Sequence, residues 1–301
     1  MYTLQLDYRK LIQEDTPYFD LTAHLLGLDE QQVKITYFTR ERCVACGTEE
    51  VREIFKILNI KTDAFIPSGT LCEPGSVIIS GTGRAVDVHM AWKPGQNMID
   101  QASGIATKAR RMTETVRAVN KNITILTTRK IFPGTKAIAA KAAVAGGAVP
   151  HRLGTSESIL VFPQQIRLMG GMDKFLKKLP LLKSECCEKK LIVETESEEE
   201  ASMLLRAGAD GIQFEKIDPD VLTGICKRLS EEFSSAVLLA AGGINENNAA
   251  AYAATGVSAL VTSNVYNAII TAVFRTVVNH FDFSSAYFAY KCLFNSNMAL
   301  A

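Results

Sequence analysis

Charge of one sign is missing from this 301-residue chain: 33 lysines and arginines meet 32 aspartates and glutamates, for a net charge of +1. Such a balance offers no long-range field to nucleic acid or an anionic membrane, so neither is an expected partner, and any anion must be held by a local cluster. No run approaches the roughly 18 uninterrupted apolar residues that a membrane-spanning helix needs. The opening Met1-Tyr2-Thr3-Leu4-Gln5 has neither the basic nor the apolar stretch of a secretory leader, and the expected location is the cytoplasm. Seven cysteines, an odd number, do not read as a disulfide framework. Cys43-Val44-Ala45-Cys46 has the spacing of half a zinc site or a redox pair, but no second such pair follows and the four histidines are far apart, so the thiols are read as structural. At 47% hydrophobic and 22% charged, the chain has an ordinary globular composition, long enough for one large domain or two moderate ones.

What is present centres on Thr127 to Arg152. The β-branched Ile123-Thr124-Ile125-Leu126 reads as a buried strand that surfaces at Thr127-Thr128-Arg129-Lys130. Pro133-Gly134 breaks the chain, Thr135 to Ala145 is rich in strong helix formers, and Gly146-Gly147 closes that helix before His151-Arg152. Arg129, Lys130, His151 and Arg152, all able to donate to an anion, thus lie at the two ends of one loop-helix-loop unit.

Around this stretch the chain divides into residues 1–110, an α+β unit, residues 111–267, an α/β unit, and a tail over 268–301. In the first, Val33 to Phe38 alternates as a strand, and Thr48 to Leu58 has helical spacing with Thr48 as N-cap. Ser76 to Ser80 and Ala85 to Met90 read as strands joined by a Gly81-Thr82-Gly83 turn. Met98 to Val119 reads as the longest helix and the connector, with Gly104 kept for close packing. From Ile123 on, strands alternate with helices: Ile123 to Thr127, Ile159 to Phe162, Leu191 to Glu194, Gly211 to Phe214, Ala236 to Ala240 and Ala259 to Thr262. This pattern predicts a parallel sheet buried on both faces, an irregular barrel because six strands are found rather than eight.

Polar residues gather at the carboxyl ends of those strands, where α/β barrels build their sites. Arg129 and Lys130 follow the first, Glu194 and Glu196 the third, Glu215 and Lys216 the fourth, Ala241-Gly242-Gly243 the fifth, and Ser263-Asn264 the sixth. Gly242-Gly243, read as leading into a helix over Asn245 to Thr255, is a candidate phosphate turn.

Thr128-Arg129-Lys130-Ile131-Phe132-Pro133-Gly134, Gly146-Gly147-Ala148-Val149-Pro150-His151-Arg152-Leu153-Gly154 and the stretch from Leu191 to Lys216 resemble the quinolinate phosphoribosyltransferase (nicotinate-nucleotide pyrophosphorylase) family, whose central pattern is Thr-Arg-Lys-Thr-x-Pro-Gly and Gly-Gly-x-x-x-His-Arg-Leu-Gly. The likeness runs from about Glu14 to Asn267. It implies an irregular seven-stranded α/β barrel with an N-terminal α+β domain, and a homodimer or larger assembly such as a hexamer. The implied activity is transfer of a phosphoribosyl group from phosphoribosyl pyrophosphate, with Mg²⁺, to a small aromatic or heterocyclic acceptor. The implied catalytic residues are Glu194, Glu215 and Lys130. Arg129, Lys130, His151, Arg152, Phe162 and Gln101 fall at substrate-binding positions, and Ala241, Gly242, Gly243, Ser263 and Asn264 at phosphate-binding ones. Glu194 and Glu215 would also face the metal carried by the pyrophosphate.

Phe162 stands where the quinolinate enzymes have a lysine, and Gln101 where they have an arginine. These departures, with Pro150 before His151 and Gln213-Phe214-Glu215, are similar instead to a branch of the family associated with molybdate transport. They imply an acceptor less charged than quinolinate. The alternative is a non-catalytic phosphate or oxyanion binder on the same fold, linked to molybdate handling.

Overall fold

A computed structural model describes residues 1–28, 31–267 and 275–280. The chain begins with helices α1 (Tyr8–Asp15) and α2 (Leu21–Leu26), then β1 (Gln32–Phe38), β2 (Cys43–Val44), α3 (Thr48–Ile57), β3 (Lys61–Phe65), β4 (Leu71–Cys72) and β5 (Val77–Arg84). The 35-residue helix α4 (Ala85–Val119) follows. It leads into β6 (Thr124–Thr127), α5 (Lys136–Ala145), β7 (Val149–Pro150), β8 (Ile159–Val161), α6 (Pro163–Leu168) and α7 (Met172–Glu185). The α/β unit ends with β9 (Leu191–Thr195), α8 (Glu198–Arg206), β10 (Gly211–Glu215), α9 (Pro219–Glu232), β11 (Val237–Ala241), α10 (Ala249–Ala253) and β12 (Ala259–Thr262).

Seven parallel strands, in the order β7-β6-β12-β11-β10-β9-β8, form the curled sheet of the second unit, an irregular barrel left open between β7 and β8. All six strands read from the sequence are present. The seventh is Val149–Pro150, whose two residues are too short for a periodicity; its proline, which cannot donate to a ladder, is tolerated because β7 is the sheet edge. Inside the curl lie Leu160, Ile192, Leu239, Ala241, Ala259 and Val261, and the larger core forms between the strands and the helices outside.

The first unit is an antiparallel sheet in the order β13-β1-β5-β3, packed on α1, α3 and the start of α4. Its outer strand, β13 (Arg275–His280), comes from the tail and pairs with β1 from Val33↔His280 to Phe38↔Arg275. The tail thereby returns to the first unit; the rest of it lies outside the described residues.

Several readings of the first unit are corrected. Gly81-Thr82-Gly83 is not a hairpin turn but the continuing strand β5, and Ala85 to Met90 is not a strand but the beginning of α4. Glycine is needed at 81 for space: a Cβ there would lie 2.8 Å from both the Phe55 ring and the Ile60 side chain. The connector accordingly starts at Ala85 rather than Met98. Thr48 is the first helical residue rather than the cap; Gly47 occupies that place without a side-chain bond.

Helix α4 is the spine shared by both units, with Val88, Ala91 and Ile99 in the first core and Ala109, Met112 and Val116 in the second. Beside it lies a buried ionic latch. The ammonium of Lys141 on α5, 1% exposed, lies 2.9 Å from Glu49 and 2.7 Å from Glu50, both on α3. Burial pushes the Glu49 carboxyl up, but hydrogen bonds from Ser68 and Lys141 outweigh it and hold the group at about 2.

Candidate active site

A cavity of about 640 Å³ opens at the carboxyl ends of the barrel strands. It is lined by Thr128, Arg129 and Lys130 after β6, His151 and Arg152 after β7, Leu160 and Phe162 around the end of β8, Glu194 on β9, and Gln213 and Glu215 on β10. Ala241 to Asn245, Val261 to Asn264 and Asn267 complete the wall.

Backbone pairing brings the cationic side together. Thr128 N–H donates to the Thr262 carbonyl at 3.1 Å, and His151 N–H donates to that of Thr127 at 3.0 Å, so the loop after the short β7 is drawn against the end of β6. The Arg152 guanidinium stands 5.7 Å from the Phe162 ring centroid, within cation–π range. Burial, with Arg152 beside it, pushes the His151 pKa down, so the imidazole is neutral near pH 7 and offers one N–H rather than a charge. Burial and the neighbouring Arg129 also lower the Arg152 pKa, though a guanidinium keeps its proton.

Opposite this side stand the carboxylates. Glu194 and Gln213 are direct partners in the parallel register of β9 and β10, and Gln213 Nε2 donates to Glu194 Oε2 at 2.6 Å. Burial raises the Glu194 pKa and Glu215 adds to the rise, while the Gln213 bond and Lys130 oppose it. Gln213, only 4% exposed, is a wall residue that sequence reading did not assign to the site. Its period-2 place on β10 opposite Glu194 was the available signal. Thr128, Asn245 and Asn267 are further wall residues absent from the expected set.

The expected phosphate turn has Gly242 and Gly243 at φ +86° and +71°. A side chain on Gly242 would meet the Glu215 carboxylate at 2.8 Å, so the close approach of these strand ends requires glycine. The helix behind it differs from expectation: Asn245 to Asn248 form turns, and α10 covers only Ala249–Ala253. Asparagine side chains compete for the backbone here, Asn245 and Asn248 both donating to the Gly243 carbonyl. Donors at the turn are therefore local groups rather than a long helix dipole.

One expected residue falls outside. Gln101 is exposed on α4 and is not among the wall residues; Ala102 and Ser103 beside it face inward, Ser103 binding the backbone of Cys46, so Gln101 points to solvent. All other expected site residues line the cavity.

Comparison with known proteins gives two family matches. The quinolinate phosphoribosyl transferase N-terminal domain matches residues 20–103 and the C-terminal domain residues 105–272. A Rhodobacter capsulatus protein that carries the name pyrophosphorylase ModD is 36% identical over 80% of this chain and 92% of its own length. A Methanothermobacter thermautotrophicus protein named as a carboxylating nicotinate-nucleotide pyrophosphorylase is 27% identical over 84% of this chain and 90% of its own. Among solved structures, the nicotinate-nucleotide pyrophosphorylase of Francisella tularensis superposes with a TM-score of 0.80 at 23% identity, covering 90% of this chain and 94% of that one.

Proposed function

The chain belongs to the quinolinate phosphoribosyltransferase family, and from that premise we propose that it transfers a phosphoribosyl group from phosphoribosyl pyrophosphate to a planar heterocycle carrying at most one negative charge. In that reaction the bond from ribose C1 to pyrophosphate breaks, a ring nitrogen of the acceptor bonds to C1, and pyrophosphate leaves. The observation that carries the reading is the pairing of Arg129, Lys130 and Arg152 with Glu194 and Glu215 around one cavity. Cations hold the phosphates and the departing pyrophosphate, and the carboxylates favour the positive charge that develops on the sugar. A binder of oxyanions alone has no use for those carboxylates.

Mg²⁺ is part of the proposal. Glu194 and Glu215 are the carboxylates of the cavity wall, and no group of three or more candidate metal ligands occurs among the described residues. Two carboxylates suit Mg²⁺, which takes one or two from protein and completes its shell with phosphates and water. When bound, it neutralises charge on the leaving pyrophosphate. Assembly as a homodimer or hexamer is likewise proposed, and light scattering of the purified protein tests it.

The acceptor follows from Phe162. A dicarboxylate needs a cation or strong donor for each charge in a partly desolvated pocket, at a cost of several kcal/mol otherwise. Phe162 offers an aromatic face, with Arg152 beside it as the adjacent cation. Lys136 on α5 is exposed and is not among the wall residues, so it supplies no cation for a second carboxylate. Quinolinate is therefore expected to be a poor substrate. Nicotinate mononucleotide formation from quinolinate, phosphoribosyl pyrophosphate and Mg²⁺ tests this: turnover near the ordinary range of about 1 per second or more contradicts it.

A further inference from the structure

Lys216 leaves β10 with φ at +56°, in the left-handed region, where only one other non-glycine residue, Asn59, is found among the described residues. Side chains with a Cβ are disfavoured there, asparagine less than most. Such strain persists where neighbouring structure enforces it, and it gathers at functional sites. Here the backbone is held by the Lys216 N–H, which donates to the Ala241 carbonyl at 2.8 Å. The conformation lays the side chain across the neighbouring strand end: Lys216 Cγ stands 2.5 Å from where a Cβ on Gly242 would be. Its ammonium ends 3.9 Å from Glu215 Oε1, a carboxylate of the cavity wall.

Neither packing nor that ion pair explains a lysine in this place. The side chain is 73% exposed, and an exposed pair of this kind contributes little to stability. Charge distribution around the cavity does explain it. Every cation in the wall, Arg129, Lys130 and Arg152, follows β6 or β7. The ends of β9 to β12 contribute only carboxylates and neutral groups, including Gly242, Gly243, Ser263 and Asn264. A dianionic phosphate at the Gly242-Gly243 turn meets neutral donors there, with Glu215 close by.

We infer that Lys216 is a substrate-contacting cation at the cavity rim, whose ammonium moves from Glu215 onto the 5′-phosphate seated at the Gly242-Gly243 turn. This rests on the phosphoribosyl pyrophosphate reading. Four flexible methylenes give the ammonium the reach, and a dianion attracts it more strongly than a single, partly buried carboxylate of one charge. The same movement frees Glu215 for the ribose.

Isothermal titration of ribose 5-phosphate, pyrophosphate and Mg²⁺-phosphoribosyl pyrophosphate into the wild type, Lys216→Asn and Lys216→Arg tests the inference. Asparagine tolerates the left-handed backbone, so Lys216→Asn is expected to keep its melting temperature. It should bind ribose 5-phosphate and phosphoribosyl pyrophosphate about tenfold more weakly, the loss of one charge-assisted hydrogen bond. Pyrophosphate binding should be unchanged, and Lys216→Arg should recover most of the loss. Wild-type affinity in Lys216→Asn, or a loss seen with pyrophosphate but not ribose 5-phosphate, overturns the inference and leaves the proposed function standing. A wild type that binds none of the three overturns both.

Discussion

Glu194 and Gln213 face each other across paired strands, and the 2.6 Å bond between them helps keep a cavity carboxylate ionised. A carboxylate only accepts, so the bond also fixes which end of the Gln213 amide points at Glu194. Burial and Glu215 push the Glu194 pKa up; the amide and Lys130 push it down, with Glu196 adding slightly to the rise. Gln213→Met keeps the side-chain length and removes the amide, including the N–H that donates to Glu194. With that opposing influence gone, Glu194 protonates at a higher pH, and activity that needs its anion is lost earlier on acidification. The acid limb of the pH profile for pyrophosphate release should therefore move to higher pH while the variant stays folded. An unmoved acid limb removes Gln213 from the positioning of Glu194. At this scale the cationic half of the site was legible, because Arg129-Lys130 and His151-Arg152 are adjacent pairs at element ends. Gln213 was not, since it lies inside a short apolar run and its partner is 19 residues away in sequence.

At the scale of elements, the latch between α3 and α5 explains how the two units are fixed to one another. Lys141 reads from the sequence as one more helix-forming residue among alanines, yet its ammonium is buried against Glu49 and Glu50. Removing one partner strands buried charge, so Lys141→Met should lower unfolding free energy by about 3–5 kcal/mol; denaturant titration showing a loss under about 1 kcal/mol contradicts this. Glu49 adds a pH dependence. Its folded pKa of about 2 lies below the ordinary 4.5, so its contribution is complete above about 4.5 and is lost as pH falls toward 2. Glu49→Gln should flatten the acid side of the stability profile. Strands were easier to read than this latch: six of seven barrel strands announced themselves as β-branched runs between breakers. The errors arose where local pattern and packing disagree. Gly81 and Gly83 look like a turn but serve the approach of Phe55 and Ile60, and the asparagines after Gly243 shorten the helix expected there.

Across the whole molecule, a chain with a net charge of only +1 concentrates cations at one side of one cavity and carboxylates at the other. The α4 spine, the Lys141 latch and the return of β13 to the first sheet hold the open barrel against the α+β unit. Among the described residues no helix is long and apolar enough to cross a membrane. Function on this account is the seating of a polyanionic sugar phosphate between those two sides, with a weakly charged ring stacked toward Phe162. Titration of phosphoribosyl pyrophosphate into the protein, with and without Mg²⁺, tests this most directly. The account predicts saturable binding that Mg²⁺ strengthens and that Arg152→Ala reduces by at least about tenfold in a folded protein. Absence of binding with Mg²⁺ present, or equal binding by folded Arg152→Ala, would contradict it.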